Sequence, residues 1–463
     1  MLKFFLALLA AVAAPLAAQP LTPAEIARID QVVAKRLAET AVPSAEVAVV
    51  RGGEIVLNKA YGKANDGLPA TPGLPYQIAS NSKQFTAMAL LLLEDDGKLD
   101  LDDPVAKYFP DVSGADKITL RHLLSHTSGL QDYWPQDYSF AAMAKPVTPQ
   151  AIVDRWAKKP LDFQPGEQWQ YSNTGYVIAG MIAEKVSGEP LMRFLKRRIF
   201  DPLGMTSVVS QDDAVGPRYP SGYGRYALGP VRPVTPAAPG WLYAAGELSM
   251  TAEDLAKWDI ARMNRALLPP DDWAEQETTV KLNDGTDTRY GLGVYVRDVN
   301  GRKVVSHGGE SVGFLSTNAV YLDQKAAIAV FTNSWSGGAY GRISRDIAKI
   351  VLPPAPQDAE AAAAAAKARQ VYDQLRGGRL DRSLLTDNAN YYFTEQAIAD
   401  FRSSLAPLGE PTAFEPSGNP VLRGGFVIQH YTIEYAGRTL DLSTFYEPGA
   451  NGRIEQFLVS PGE

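Results

Sequence analysis

Ser80 and Lys83 stand three residues apart in YQIASNSKQFTAMALLLL (residues 76–93), an S-x-x-K pair ahead of an apolar, helix-prone run. Residues three apart in a helix share a face. A helix starting near Ser80 therefore sets a hydroxyl and an amine side by side at its first turn. That turn also offers unpaired N–H groups and a partial positive charge, which favour a developing oxyanion. A serine with an amine beside it and donors beneath it has what acyl transfer needs. The spacing alone is a weak signal, because a serine at a helix start also serves as an N-cap.

Two further motifs carry chemistry. Tyr171-Ser172-Asn173 lies in a polar loop before a helix expected over Thr174–Val186, and His307-Gly308-Gly309 closes the strand-like run VVSHGG. A competing motif overlaps the second. Gly309-Glu310-Ser311-Val312-Gly313 spells G-x-S-x-G, the nucleophile elbow, which needs a strand before it and a helix after. VVSH suits the first requirement, but the strand-like FLSTNAVYLD comes next, and the later histidine an elbow requires could only be His430, in a different module. Ser311 is thus the weaker candidate. His122 and His126, at i and i+4, could present two metal ligands on one face. They lack the intervening glutamate of a zinc protease and an obvious third ligand, so they read as structural. No metal or other cofactor is expected.

The elements that must position these residues follow from periodicity. Residues 22–40 read as an amphipathic helix opened by a Thr22/Glu25 capping box, with Ile26, Ile29, Val32, Val33 and Leu37 on one stripe. Ala45–Arg51 and Glu54–Tyr61 read as a hairpin turned at Gly52-Gly53. Thr119 is expected to cap a short helix that Ser128-Gly129 ends. Residues 131–160 are aromatic, punctuated by proline and partly helical; proline and glycine crowd 216–240, a long surface excursion. From Tyr290 four strands (YGLGVYVRD, KVVSH, FLSTNAVYLD, AAIAVFTN) would complete the sheet begun by the hairpin, and Ser336–Val351 reads as a helix. A helical middle is thus inserted between the two halves of one antiparallel sheet.

The 463 residues suffice for two domains or more at roughly 100–200 residues each. Residues 353–369, proline-rich and then a low-complexity but helix-competent alanine run, read as a linker. Residues 370–463 form a small α+β domain, with helices expected at 370–377 and 394–405 and strands near 423–435, 437–446 and 453–459. It carries no catalytic constellation; a cone-shaped nuclear-transport-factor-like fold suits it better than a small barrel, in a role as lid, dimer contact or substrate gate. Residues 1–18 have a charged n-region (Lys3), an apolar stretch and small residues at Ala17-Ala18, the pattern of a signal peptide. The run is short for a membrane span, so the mature protein is expected to be periplasmic or secreted without a stable membrane anchor. The absence of cysteine excludes disulfides, thiol catalysis and cysteine-ligated zinc, and a net charge of −7 gives no reason to expect nucleic acid as a partner. Oligomeric state is not legible.

Taken in order, Ser80-x-x-Lys83, Tyr171-x-Asn173 and His307-Gly308-Gly309 resemble the penicillin-recognising serine hydrolases, in particular the class C β-lactamase and D-alanyl-D-alanine carboxypeptidase branch. HLLSHTSGL (122–130), FQPGEQWQYSNTGY (163–176), DPLGMTS (201–207), GELSMTAEDLAKW (246–258) and YGLGVYV (290–296) are similar to that family too, and the resemblance spans about residues 22–352. It implies an α+β fold, an antiparallel sheet flanked by helices with an all-helical subdomain and the site in the cleft between them. Ser80 would be the nucleophile, Lys83 would support proton traffic, and Tyr171 would be a base or proton shuttle. Asn173 would hold the substrate amide or Lys83, and the N–H groups of Ser80 and Glu310 would form the oxyanion hole. A tyrosine pKa lies near about 10, and an adjacent ammonium such as Lys83 is expected to lower it.

The sequence departs from the family in its third motif. Histidine stands where K-T-G places a lysine, and at a pKa of about 6.5 it is mostly neutral at pH 7. The anchor for a substrate carboxylate is weakened, which disfavours β-lactams and favours esters, amides or peptides without a C-terminal carboxylate at His307, Gly308 and Gly309. The expected activity is therefore that of an exported serine hydrolase on a small-molecule or peptide substrate. The alternatives are a carboxylesterase and a non-catalytic binding protein of the same fold; intact Ser80, Lys83 and Tyr171 count against the last.

Overall fold

Thr22 caps helix α1 (Pro23–Thr40) in a reciprocal box: Glu25 N donates to Thr22 Oγ1 at 3.2 Å and Thr22 N to Glu25 Oε2 at 2.7 Å. The computed structural model describes residues 19–136, 139–227, 229–299, 301–335, 337–353, 359–449 and 451–462. The leader expected over 1–18 and Ser336, expected to open a helix, lie outside the described residues. The chain divides into two units, residues 1–298 with 302–353, and 354–463 with 299–301.

In the first unit, strands β1 (Ser44–Arg51) and β2 (Glu54–Asn65) form the expected hairpin, with Gly52 and Gly53 both at positive φ, as a tight hairpin turn requires. A short β3 (Leu68–Pro69) extends β2. The chain then leaves the sheet for over two hundred residues and returns as β4 (Tyr295–Asp298), β5 (Lys303–Ser311), β6 (Phe314–Tyr321) and β7 (Ala326–Thr332). All pairings are antiparallel, in the order β3-β2-β1-β7-β6-β5-β4. The hairpin and the late strands thus meet through β1 and β7, with Ala45 opposite Thr332.

Strand β1 shows why one sheet can serve two cores. Its alternating residues point to opposite faces. Val47 and Val49 join α1 and α6 (Ala339–Val351) on one side; Ala48 and Val50 join the helical insertion on the other. At the centre of that insertion is α2 (Lys83–Asp95), whose residues Lys83 to Leu93 are all buried. Both α2 and helix α3 (Leu120–Ser125) lie against helix α4 (Asn173–Ser187), and α5 (Ala252–Met263) lies against the sheet.

Several boundaries differ from expectation. Ser80 does not start an α-helix: Ala79–Ser82 is a 3₁₀ turn, α2 begins at Lys83, and no side chain caps either. Ala79 sits at φ +48°, a left-handed conformation disfavoured for alanine, so Ser80 leaves a strained bend. Helix α3 ends at Ser125, because His126 takes the left-handed C-cap position at φ 62°. Helix α4 begins one residue early, with Ser172 as its cap, and α6 begins at Ala339.

The second unit contains α7 (Ala359–Arg376), α8 (Asp387–Tyr392), α9 (Glu395–Leu405) and a meander β8 (Ala413–Arg423), β9 (Phe426–Tyr435), β10 (Arg438–Tyr446) and β11 (Ile454–Pro461). Edges β8 and β11 do not pair with each other, so the sheet is open. The alanine-rich end of the expected linker is helix α7: Ala368, Val371, Tyr372 and Leu375 pack on Tyr431, Ile433 and Leu442. Strand β8 goes beyond the expected strands, because Pro416, Gly418 and Pro420 break its pattern; it is an edge strand with a bulge, where proline is tolerated.

Strand β5 presses on the Ser80 turn at Gly309. A Cβ there would overlap the Ile78 carbonyl oxygen and Ser316 Oγ, whereas at Gly308 its nearest neighbour would be the Ser316 carbonyl oxygen at 3.7 Å. Gly309→Ala is expected to lower unfolding free energy by about 1–3 kcal/mol, and Gly308→Ala by much less. Urea denaturation of both variants checks this, and equal losses would refute the close approach.

Candidate active site

The turn that carries Ser80 is pinned from two sides. Ser316 Oγ on β6 donates to Ile78 O at 2.8 Å and accepts from Asn81 Nδ2 at 2.8 Å. Ser82 Oγ accepts from Leu248 N at 3.0 Å. Ser80 itself is half-buried, one turn before Lys83. Lys83 is fully buried, and its Nζ donates to Ser80 Oγ at 3.0 Å, Asn173 Oδ1 at 2.8 Å and Ala245 O at 2.7 Å. These three acceptors saturate an ammonium. All are neutral, so burial dominates and pulls the Lys83 pKa down to about 7, with the Asp132 carboxylate opposing.

A half-neutral amine at pH 7 changes what the pair can do. An NH₂ group keeps two donors, enough for Asn173 and Ala245, and gains a lone pair that can accept the Ser80 proton. Tyr171 behaves oppositely. Its ring lies 4.8 Å from Lys83 Nζ and its hydroxyl bonds with Ser80, yet burial pushes its pKa well above the ordinary value. The expected lowering by the Lys83 ammonium does not occur: desolvation dominates, Tyr295, Tyr176 and the Asp132 carboxylate push the same way, and only the hydrogen bond with Ser80 opposes them. Tyr171 stays a phenol, a proton donor.

Asn173 owes its place to α4. Ser172 caps that helix through Gly175 N at 3.4 Å, which frees the Asn173 side chain from capping and lets it reach Lys83. Asp132 holds it from behind, accepting from Asn173 N at 3.0 Å and Nδ2 at 3.2 Å. His307, on β5, is buried. Its Nδ1 lies 2.5 Å from Gly308 O and its Nε2 2.9 Å from the Tyr290 hydroxyl. A carbonyl only accepts, so Nδ1 carries the proton and Nε2 accepts from Tyr290. Burial, and then Lys83, pull the His307 pKa down to about 3. The ring is neutral with both nitrogens engaged. Gly308 and Gly309 continue β5 alongside the Ser80 turn, and Glu310, whose side chain is exposed, comes next, opposite Leu315.

Ser80, Lys83, Tyr171, Asn173 and His307 therefore come together; Ser311 does not join them. Strand β5 runs through Ser311 and turns at Gly313 into β6 with no helix after it, and the fully buried Ser311 Oγ donates to Gln77 Oε1 at 2.9 Å. His122 and His126 share no helix face. His122 Nδ1 accepts from Thr119 N, whereas His126 stacks on Tyr171 at 4.2 Å between ring centroids. Among the described residues no group of three or more His, Cys, Asp or Glu is suited to a metal ion.

Sequence reasoning missed Asp132, Ala245, Tyr290 and His126 as members of the site. Asp132 left a weak signal, a lone carboxylate just before the aromatic pair Tyr133-Trp134. Ala245 left none, because its contribution is a backbone carbonyl.

The sequence profile of the beta-lactamase family matches residues 29–352. The chain is 29% identical to penicillin-binding protein 4* of Bacillus subtilis over 329 residues, 67% of this chain and 73% of that protein. Among solved structures, a D-stereospecific amidohydrolase from a Streptomyces species superposes with a TM-score of 0.60 at 30% identity, over 70% of this chain and 98% of that one. An octameric penicillin-binding protein homologue from Pyrococcus abyssi superposes with a TM-score of 0.63 at 22% identity, over 95% and 96%. At that identity the likeness is one of fold.

The Lys83 pKa, lowered from 10.5 to about 7, fixes the sign of the pH dependence. The neutral amine predominates above that value and is lost as pH falls through it. Labelling of Ser80 by a fluorophosphonate is expected to rise about tenfold per pH unit below the midpoint and to level off above it. Lys83→Arg, always charged, should abolish the labelling. A flat profile between about pH 5 and 9 would show that Lys83 does not govern Ser80.

Proposed function

The chain belongs to the beta-lactamase family, and on that premise we propose that it is an exported serine hydrolase that cleaves amide or peptide bonds through an acyl-enzyme on Ser80. The observation that carries the reading is the buried Lys83 amine, 3.0 Å from Ser80 Oγ, with a pKa near neutrality. Neutral Lys83 takes the Ser80 proton as Oγ attacks the carbonyl carbon. The N–H groups of Ser80 and Glu310 receive the oxyanion; losing one such donor costs about 10²–10³ in rate. Tyr171, hydrogen-bonded to Ser80 and held protonated, gives a proton to the leaving amine and recovers one from Lys83. The same groups then activate water to release the acyl chain.

Neutral His307, with both nitrogens engaged, offers no charge to a substrate carboxylate. This favours substrates whose scissile bond is not followed by one, such as amino-acid amides. The D-stereospecific amidohydrolase likeness supports D-configured amides as the first substrates to try. The same neutral wall suits a carboxylesterase, the second reading. Export rests on the leader pattern of residues 1–18, and among the described residues no helix is long and apolar enough to cross a membrane.

Turnover of a p-nitrophenyl ester and of D- and L-phenylalanine amide by the wild type, Ser80→Ala and Ser311→Ala separates the readings. Ser80→Ala is expected to lose at least about 10³-fold in kcat, while Ser311→Ala keeps activity. Hydrolysis of the D-amide supports the amidase reading, and hydrolysis of the ester alone the carboxylesterase. A wild type inert on all three would favour a binding protein, and full activity in Ser80→Ala would sink the mechanism.

A further inference from the structure

Lys83 donates only to neutral acceptors, and each must be aimed. Ser80 Oγ can accept whichever way its hydroxyl hydrogen turns, and the Ala245 carbonyl is fixed by the chain. The Asn173 amide is different, because oxygen and nitrogen occupy nearly equivalent places on it. If it flips, Nδ2 faces the Lys83 amine, donor against donor.

Asp132 prevents that flip. Its Oδ2 accepts from Asn173 Nδ2 at 3.2 Å, and its Oδ1 accepts from Asn173 N at 3.0 Å and from Trp134 N at 3.2 Å. Three N–H groups converge on one carboxylate and favour its ionised, acceptor-only form, against the burial that raises its pKa. One residue is gripped at both backbone and side chain, so only Oδ1 is left to face Lys83. The flip is blocked by charge as well as by geometry, since a flipped amide would turn its oxygen toward the carboxylate.

We propose that Asp132 is a positioning residue, which fixes the Asn173 amide so that Oδ1 meets Lys83 and thereby sets where the amine stands and how readily it holds a proton. The kinetic part of this inference rests on the Ser80 hydrolase reading; the geometric part does not. The groups facing Lys83 are Ser80, the Tyr171 and Tyr176 rings at 4.8 and 5.2 Å, the neutral His126 and His307, and the Asn173 amide. Asp132 is the carboxylate that acts on the Lys83 charge and favours the ammonium. Asp132→Asn keeps the shape but removes the charge and lets either amide flip.

The test uses the full chain labelled with [ε-¹³C]lysine, with the Lys83 resonance identified by its loss in Lys83→Arg. In Asp132→Asn its titration midpoint is expected to fall by about half a pH unit or more, and the acid limb of kcat/KM should move the same way. For a p-nitrophenyl ester, kcat should fall roughly 10²-fold, the scale of a misplaced catalytic group, with KM little changed. An unmoved midpoint overturns the proposal, even where kcat and thermal stability both drop, because a merely structural aspartate would do that. If Asp132→Asn does not fold, Asp132→Glu serves: it should hold the midpoint while lowering kcat, and wild-type kcat there would refute the positioning role. The midpoint needs no turnover. An inert wild type whose midpoint still shifts in Asp132→Asn sinks the hydrolase reading and leaves the positioning role standing; an active wild type with a fixed midpoint does the reverse.

Discussion

The site depends on an ammonium taken out of water and given no charged partner in contact. Lys83 lies on the first turn of α2, a helix buried along almost its whole length, so its side chain cannot reach solvent. Burying an isolated charge is expensive, and the usual outcome is a shifted pKa. Here the cost is lowered by three hydrogen bonds to neutral oxygens, each from a different part of the chain: the turn before α2, the start of α4, and the loop before Glu247. Those acceptors tie the segments together. The amine is thus both a structural hub and the group that can change protonation near neutral pH.

Low dielectric acts on the neighbouring groups with opposite sign. It lowers the pKa of the cationic groups, Lys83, His126 and His307, and raises that of the phenol of Tyr171. These four therefore tend to neutrality and form a cluster of uncharged donors and acceptors, with the Asp132 carboxylate behind Asn173 as the charged group nearby. Such a cluster stabilises charge that appears during reaction better than charge already on the substrate. The aromatic rings of His126, Tyr171, Tyr176 and Tyr290 form its wall, with His126 within 5.2 Å of the other three.

The sheet makes this environment possible by facing two cores. Its helix α1 and α6 side closes one apolar layer; the other side carries the insertion and, at the end of β5, the edge against which the Ser80 turn rests. The contact at Gly309 is close enough to admit only glycine, and the strained bend at Ala79 is held by Ser316. The second unit has a separate core of its own, α7 and the β8–β11 sheet, built on Tyr372, Tyr431 and Leu442.

The sequence alone determined the features that local pattern can carry. The capping box at Thr22, the Gly52-Gly53 hairpin, and the order of Ser80, Lys83, Tyr171, Asn173 and His307 were all legible, because they depend on spacing and residue type. Where one pattern masked another, it misled. Prolines hid β8, and the alanine run of α7 read as a linker because its packing partners come sixty residues later. The G-x-S-x-G motif at Ser311 is resolved by the turn that leads from it into β6. Only the tertiary structure decided the electrostatics. Whether Lys83 lowers the pKa of Tyr171 depends on burial against charge, and burial is a property of segments far apart in the chain. The Ala245 carbonyl and the grip of Asp132 on Asn173 belong to the same class, since a backbone oxygen has no residue type to read and the aim of an amide is set by a partner 41 residues away.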